Sequence, residues 1–491
     1  MSRLGRALFR LLGSLANKQQ PPIAEPEALL AAFRENDPEE NRKSCPPDDE
    51  HIDAHCVWAV ELYLPSQLDQ LVGGLRALDW AAPNWTVDSE GLEQWVQDVA
   101  SRLDGAYWKN LHVITRPGDR RFQLSSRSAP LPDVVDYARG SIHLIFPGLV
   151  GVALQFVLKD DAAAQLEGEL RRDRTTFAAP RGRGWSFKTP HHQKSEACLK
   201  AREDLRQACA SWFRRYLPGF FSSLGDEAHF PTAEFITLRV GQPFVRLAGR
   251  GWTDYLRILQ MDNDFEAWRS ENLAGLVLAC GGRSPSSAMA LTLAAKEDEF
   301  LANETDDIWE SYGGRNREGY TNQLSYLDRT LTVWALHGLL TSLEGQLAAL
   351  RNRVAAVSLA NVSQAVTELE RAQRDLLTVA RDAVPLASML KHFCAEARLF
   401  HVEVYEFLPA SPTHPDEAPL FEALREALSR RARLLEELER NVRDAATSQG
   451  SLVATMAQNR ATKITVRLTL ALSALTAVLV ALTILLLLQQ G

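Results

Sequence analysis

Asp48, Asp49, Glu50, His51, Asp53, His55 and Cys56 bring carboxylate, imidazole and thiol groups into nine consecutive positions, the mixture of hard and borderline donors that holds divalent cations. His191, His192 and Cys198 make a looser set of the same kind. Neither spacing is that of a known ligand pattern, and a solvated acidic linker and a polar loop are the plainer accounts. The expectation is no cofactor, with a divalent cation at His51, His55, Cys56, His191 or His192 held open. The run Glu297, Asp298, Glu299, Glu304, Asp306 and Asp307 offers oxygen donors only, which suit either a hard cation between protomers or a solvated helix face. No Walker A sequence, G-x-S-x-G elbow or H-E-x-x-H helix occurs, which removes three common catalytic classes. Asp226-Glu227-Ala228-His229 spells a helicase box without a phosphate loop to give it meaning. Gln207-Ala208-Cys209 starts like a caspase motif, departs from it at Ala210 and lies in a helical pattern where a Cys is packing. Gly-Arg-Gly-Trp occurs twice, at 182–185 and 249–252, as a turn or as an anion-binding nest. The balance favours a binding or regulatory protein over an enzyme, with a hydrolase of unfamiliar site as the competing class.

These residues must be positioned by a chain of 491 residues, enough for two or three folded units. Hydrophobic residues make up 46% and charged residues 24%, a globular composition. A formal charge of −8 provides no basic field, so no nucleic-acid partner is expected. Six dispersed Cys suit a reducing compartment. Residues 19–54 hold six prolines among many charges and are predicted as a disordered linker. Strand patterns at 56–64, 111–115, 141–146 and 152–158, with helical patterns between and after them, make 55–194 a first α+β unit. A helix over 195–216, a strand at 235–240 and a hairpin of 273–280 with 288–294 make 195–319 a second. Residues 320–408 read as bundle helices, with Leu386, Met389, Phe393, Phe400, Val404 and Phe407 resuming the helical rhythm beyond Pro385.

Beyond Pro419 the last element has no proline. Phe421, Leu424, Leu428, Arg431, Leu435, Leu438, Val442, Ala445, Gln449, Leu452, Met456, Asn459, Lys463 and Val466 follow a heptad, so 416–467 is predicted as a long coiled-coil stalk helix. It pairs either with other copies or with the chain's own helices. Residues 468–488 are 21 consecutive uncharged residues, long enough as a helix to cross roughly 30 Å of hydrocarbon. Arg460, Lys463 and Arg467 precede this segment while Gln489, Gln490 and Gly491 follow it, which predicts a single-pass inner-membrane protein with its N-terminus cytoplasmic. Thr462, Thr465, Thr469, Ser473, Thr476 and Thr483 recur at helical spacing, a face for close helix packing in a homo-oligomer or for lining a pore. Residues 1–18 carry Arg3, Arg6 and Arg10 beside a leucine face with no acid, which suits contact with anionic lipid or an organelle presequence.

An α+β domain, helical hairpins, a stalk helix and a basic neck resemble the CorA-type divalent-cation channels. That family carries Asn, then Lys, then Leu-Thr at the membrane entrance, and Asn459, Arg460, Lys463 and Thr465 stand in similar order, with Ile464 in place of the Leu. The resemblance covers the last third of the chain and implies an ion-conducting oligomer. The family's Gly-Met-Asn signature and second membrane helix are absent from this sequence. The expected function is a membrane-anchored cytoplasmic sensor that oligomerises through its stalk and answers an unknown ligand or partner protein. A membrane-perturbing effector of a bacterial conflict system is the alternative.

Overall fold

The computed structural model describes residues 26–82, 91–100, 107–119, 126–181, 184–225, 230–245, 254–262, 267–280, 290–311, 313–357, 362–395, 406–410 and 418–489. The segment 1–18, the box at 226–229, the tetrapeptide at 249–252 and the first half of its counterpart at 182–185 lie outside these residues. Two helices, α1 (Pro26–Glu35) and α2 (Asp37–Ser44), precede the first strand, β1 (Ile52–Tyr63). Then come β2 (Tyr107–Thr115), β3 (Ser126–Ser128), β4 (Val135–Phe146), β5 (Leu149–Leu158), and a separate hairpin of β6 (Phe177–Arg181) and β7 (Gly184–Lys188). After helix α3 (Pro190–Tyr216) follow β8 (Thr232–Leu238), β9 (Ala267–Ser270), β10 (Leu276–Cys280) and β11 (Ala290–Lys296). The helical part comprises α4 (Arg317–Gln323), α5 (Leu327–Ala355), α6 (Val362–Ala395) and α7 (Leu420–Gln489), with β12 (Phe407–Pro409) between α6 and α7.

Ten strands form one sheet in the order β12-β9-β10-β11-β8-β1-β5-β4-β2-β3. The two expected α+β units are therefore one: β1 pairs antiparallel with β5 on one side and with β8 on the other, so strands from both sequence halves share a ladder. Composition allows either outcome, because each half patterns as sheet plus helices. β1 sits at the centre because nearly all of its twelve residues are buried on both faces, the signature of a strand covered by helices above and below. Trp58 points to the layer of α4 and α5, whereas Glu61 and Tyr63 point to the layer of α3 and the short helix Phe220–Ser223. Gly148 closes the β4–β5 hairpin with φ +82°, a conformation that costs glycine little.

The predicted linker is also corrected, since residues 26–50 are docked on the sheet domain. Apart from Phe33 stacked on Phe187 of β7 at 4.9 Å, the attachment is polar. Asp37 accepts from the Thr176 amide at 2.8 Å, Asn41 exchanges hydrogen bonds with the Arg174 backbone at 2.7 and 3.0 Å, and the buried Glu50 carboxylate accepts from the Arg239, Val240 and Gly241 amides at 2.7–2.9 Å. Polar side chains that satisfy backbone groups leave no apolar pattern in a sequence. On the same side of the sheet, Glu234 of β8 is buried with Arg202 and Arg206 of α3, and Arg202 Nε donates to it at 2.7 Å. Burial alone would raise this carboxyl, but the two guanidiniums hold it down at about 2.

α5 joins the sheet to the bundle. Every residue from Leu327 to Leu340 except Arg329 is buried, because this half of the helix has the sheet on one side and other helices on the other. Close approach is possible at Gly151 of β5, where a Cβ would lie 2.4 Å from Thr332 Cγ2. Asp328 then reaches into the sheet: the Trp58 indole N–H donates to Oδ1 at 3.1 Å and the Ser141 hydroxyl to Oδ2 at 2.7 Å. Ser141 Oγ also lies 2.7 Å from His143 Nε2, and since that hydroxyl donates to Asp328 it accepts from the imidazole.

Glu344 of α5 bonds Arg431 of α7 at 3.0 Å and Val354 packs with Ala446, so α5 and α7 run parallel. α6 runs antiparallel to both, with Lys391 paired to Glu436 while Leu369 and Ala372 pack near Ala446 and Val453. It passes through Pro385 without ending, a cost of about 3 kcal/mol in a free helix that burial of Leu386, Ala387, Leu390 and Phe393 offsets. Phe407 is not helical as predicted, for β12 adds antiparallel to β9 at the sheet edge. The buried line of α7 is Leu420, Leu424, Leu428, Ala432, Leu435, Val442, Ala446 and Val453. It overlaps the predicted heptad at Leu424, Leu428, Leu435 and Val442 but is centred one step aside, because α7 lies in the groove between α5 and α6 and buries two flanks. Up to Val453 its partners are thus the chain's own helices. Beyond this point α7 is exposed through Ile484, apart from the half-buried Ala457. Its apolar window has a mean hydropathy of 2.0 and no buried residue, which fits a membrane-spanning helix.

Burial pushes the Asp328 carboxyl up to about 7 against an ordinary 3.8. Between these values the folded protein holds the proton that the unfolded chain has lost, so this group makes stability fall as pH rises from about 4 to about 7. Asp328→Asn keeps an acceptor and removes the titration. The melting temperature of the variant relative to the parent is expected to climb between pH 5 and pH 8, and a difference that stays flat would refute this assignment.

Candidate functional site

Where β1 and β4 begin and β5, β8 and β11 end, the strand ends open into a cleft of about 790 Å³, a size typical of small-molecule sites. Its position follows from two local features. Ala54 pairs with Ile236 and Cys56 with Phe235, so His55 is an extra residue, a β-bulge in β1. The bulge turns the imidazole toward α4 and the cleft, where it meets the Tyr320 ring edge-on at 4.9 Å. The second feature is the start of α4, where the Asn316 side chain accepts from the Gly319 amide at 3.1 Å and caps the helix. This cap sets Arg315, Arg317, Glu318 and Tyr320 along one wall.

His55 is 3% exposed. Its Nε2 is 2.7 Å from Thr237 Oγ1, and its Nδ1 is buried without a hydrogen-bond partner. Burial foremost, then the positive charge of Arg317, pushes this imidazole down to about 3, so it is neutral at physiological pH. Arg317 Nη1 donates to the Leu158 carbonyl at 3.0 Å and to Asp160 at 2.5 Å, which ties α4 to the end of β5. Arg315 pairs with Asp306, and Arg139 lies 3.7 Å from Glu318. Tyr320 donates to Glu297 at 3.0 Å, and Asp53 lies 3.0 Å from His51 Nε2. The cleft offers carboxylates, a neutral ring nitrogen and phenols, a surface for recognising hydrogen-bond donors and positive charge.

Of the residues expected to hold a metal, His51 and His55 reach this cleft. His51 is at its mouth, its second nitrogen 2.9 Å from Glu167. Cys56 is buried against the Gln155 amide at 3.5 Å, and burial raises its thiol far above the range in which it ionises, so it provides no thiolate ligand. His191 and His192 lie on the first turn of α3, with rings 6.0 Å apart and edge to face. Among the described residues no three His, Cys, Asp or Glu side chains form a metal-binding group.

The neck residues Asn459, Arg460, Lys463 and Arg467 are exposed on the bare part of α7. Along the membrane segment Thr465, Thr469, Thr476 and Thr483 each donate to the carbonyl four residues earlier at 2.8–3.0 Å. Their hydroxyls are thereby satisfied within the helix and, with Ser473, form a stripe of small groups.

Sequence reasoning missed Asp160, Arg317 and Tyr320 and read Glu297 only as part of an acidic run; the four come together only through the fold. The Asn316 cap before Arg317-Glu318-Gly319 was a readable helix start, but nothing in the sequence marks the bulge. It also missed the Asp328–Ser141–His143 set. This set is no catalytic triad, because the hydroxyl stands between the acid and the imidazole and all three residues are buried. In comparisons with known proteins the chain matches no family model and no curated protein.

The environment of His55 predicts a single neutral tautomer between pH 5 and pH 8. Nitrogen NMR of histidine-labelled protein checks this. A midpoint for His55 inside that window would show that the ring is open to water and that the cleft floor is wrongly described.

Proposed function

We propose that the protein is a membrane-anchored sensor or regulatory protein whose sheet domain faces the cytoplasm and whose copies associate through the bare part of α7. The observation that carries this reading is the uncovered length of helix beyond Val453. Before the apolar segment it must stay helical in water although Ser451, Thr455, Asn459 and Thr462 are indifferent helix formers. Leu452, Met456, Ile464 and Val466 there are 38–54% exposed, and a neighbouring helix would cover them. Copies held in one bilayer by identical helices are parallel and at one height, so like faces meet. The small-residue stripe of Thr469, Ser473, Ala477 and Ala481 supports close packing of the same helices within lipid.

The sensor part of the proposal is supported by continuity. The wall of the cleft is the start of α4; α4 leads through residues 324–326 into α5; and α5 lies parallel to α7. A ligand that changes the seat of α4 thus acts on a helix bound to the one that enters the membrane. The positive flank of Arg460, Lys463 and Arg467 supports a cytoplasmic sheet domain. Conduction in the manner of the CorA-type channels is the fuller form of this proposal and rests on the neck resemblance. The self-satisfied hydroxyls suit dry packing as well as a pore, and conductance in planar bilayers separates an ion-selective assembly from a packed anchor or a broad leak.

A cysteine at Met456, with the native cysteines replaced, is expected to form disulfide-linked dimers on oxidation in nanodiscs holding more than one copy. Adding Leu452→Glu should abolish the cross-link and leave the melting temperature within about 1 °C, since surface changes cost within about 0.5 kcal/mol. Leu435→Glu, by contrast, puts a charge into the chain's own bundle and should cost more than about 3 kcal/mol. A Met456 cysteine that stays monomeric would sink the self-association reading. For orientation, a cysteine at Gln490 should react with an impermeant thiol reagent from outside intact cells; labelling only after lysis would reverse the topology.

A further inference from the structure

We propose that the cleft at the strand ends binds a small organic polycation, an amine or guanidine with two or more charged nitrogens, through Asp53, Glu297 and the unpartnered Nδ1 of His55. The first ground is charge. The lining holds five carboxylates, Asp53, Asp136, Asp160, Glu297 and Glu318, against the guanidiniums of Arg315 and Arg317. Both guanidiniums are already engaged, Arg317 with Asp160 and Arg315 with Asp306, and Glu318 has Arg139 nearby. Asp53 and Glu297 are matched only by the His51 imidazole and the Tyr320 phenol. Negative charge is therefore left over at Asp53 and Glu297, and among the described lining residues an anionic ligand such as a nucleotide would find no unengaged guanidinium to offset it.

The second ground is His55. A buried ring nitrogen with no partner, in a side chain that lines an open cleft, is costly unless a ligand reaches it. In the proposed tautomer, whose Nε2–H donates to Thr237, Nδ1 presents a lone pair that accepts an N–H from an ammonium or guanidinium group. Size argues in the same direction, since about 790 Å³ is far more than one ion fills and the described side chains form no metal-binding group. Two nitrogens of an extended polyamine can then meet Asp53 and Glu297 while a third lies beside the His55 ring. Charge-assisted hydrogen bonds to carboxylates make such contacts specific.

This inference takes the cleft of the proposed sensor as its ligand site, and its test is kept separate from membrane behaviour. The full chain in neutral detergent is titrated calorimetrically with spermidine at fixed ionic strength, and in parallel with magnesium chloride and with ATP. One saturable spermidine site is expected, weakened about tenfold or more by Glu297→Gln and by Asp53→Asn in protein whose melting is unchanged. If either variant is unstable, the parent protein alone decides, because spermidine should shift the His55 Nδ1 resonance and the other two probes should not. Lack of a saturable spermidine site, an unmoved His55 resonance, equal binding by both folded variants, or saturable binding of ATP or magnesium alone would each overturn the proposal. The Met456 cross-link is read in the same samples. Cross-linking without spermidine binding removes the site and leaves the self-association reading standing; binding that never alters cross-linking keeps the site and removes its coupling to the stalk.

Discussion

The contact on which the architecture turns is the insertion of Asp328 into the sheet. α5 is at once an outer layer of the sheet and the first helix of the bundle, and a helix in both roles must be fixed in register as well as in position. Apolar packing alone fixes register poorly, because Leu331, Leu336 and Leu340 would tolerate a small slide. A carboxylate held from two strands, by Trp58 on β1 and by Ser141 on β4, tolerates none. The cost is a buried acid whose charged form is disfavoured, offset by two hydrogen bonds and by the close approach that Gly151 permits.

Charged groups elsewhere are used for attachment more than for bulk stability. Glu234 ties α3 to β8 through two arginines, Glu50 gathers three successive amides, and Asp37 and Asn41 fasten the N-terminal helices by imitating backbone partners. Each is a directional constraint between elements distant in sequence. In the cleft the same chemistry is left incomplete: His55 Nδ1 has no partner, and the carboxylates of Asp53 and Glu297 meet the His51 imidazole and the Tyr320 phenol. Buried side-chain atoms without a hydrogen-bond partner occur elsewhere too, Gln155 Oε1 and Thr330 Oγ1 among them; what sets His55 apart is that its side chain also lines the cleft.

The stalk divides in two for a related reason. As far as Val453, α7 lies in the groove of α5 and α6 and its apolar line is consumed within the chain. Past that point the helical hairpin ends, and the same helix continues alone with small, polar and finally apolar residues. The 70-residue helix, roughly 105 Å at helical rise, therefore carries two different environments on one continuous backbone.

Elements whose signal is local could be read from the residues alone. The apolar run of the membrane segment, the short apolar runs of β1 and β5 and the long period of α5 to α7 depend only on which residues are neighbours along the chain, so each was legible without a fold. The tertiary structure alone decided which elements meet. Whether the two α+β patterns make one sheet or two depends on β1 pairing with β8, and hydrogen bonds between backbones carry no residue code. The heptad of α7 was visible, but its facing partner was not, since a leucine stripe packs equally on a second copy or on the chain's own helices. The docking of residues 26–50 was hidden because it rests on polar groups, which read as solvated in any composition. The cleft was the least legible of all. It needs the one-residue bulge at His55 and the meeting of Asp53, Asp160, Glu297 and Arg317 from separate elements, and spacing along a chain cannot encode a meeting that only the folded backbone brings about.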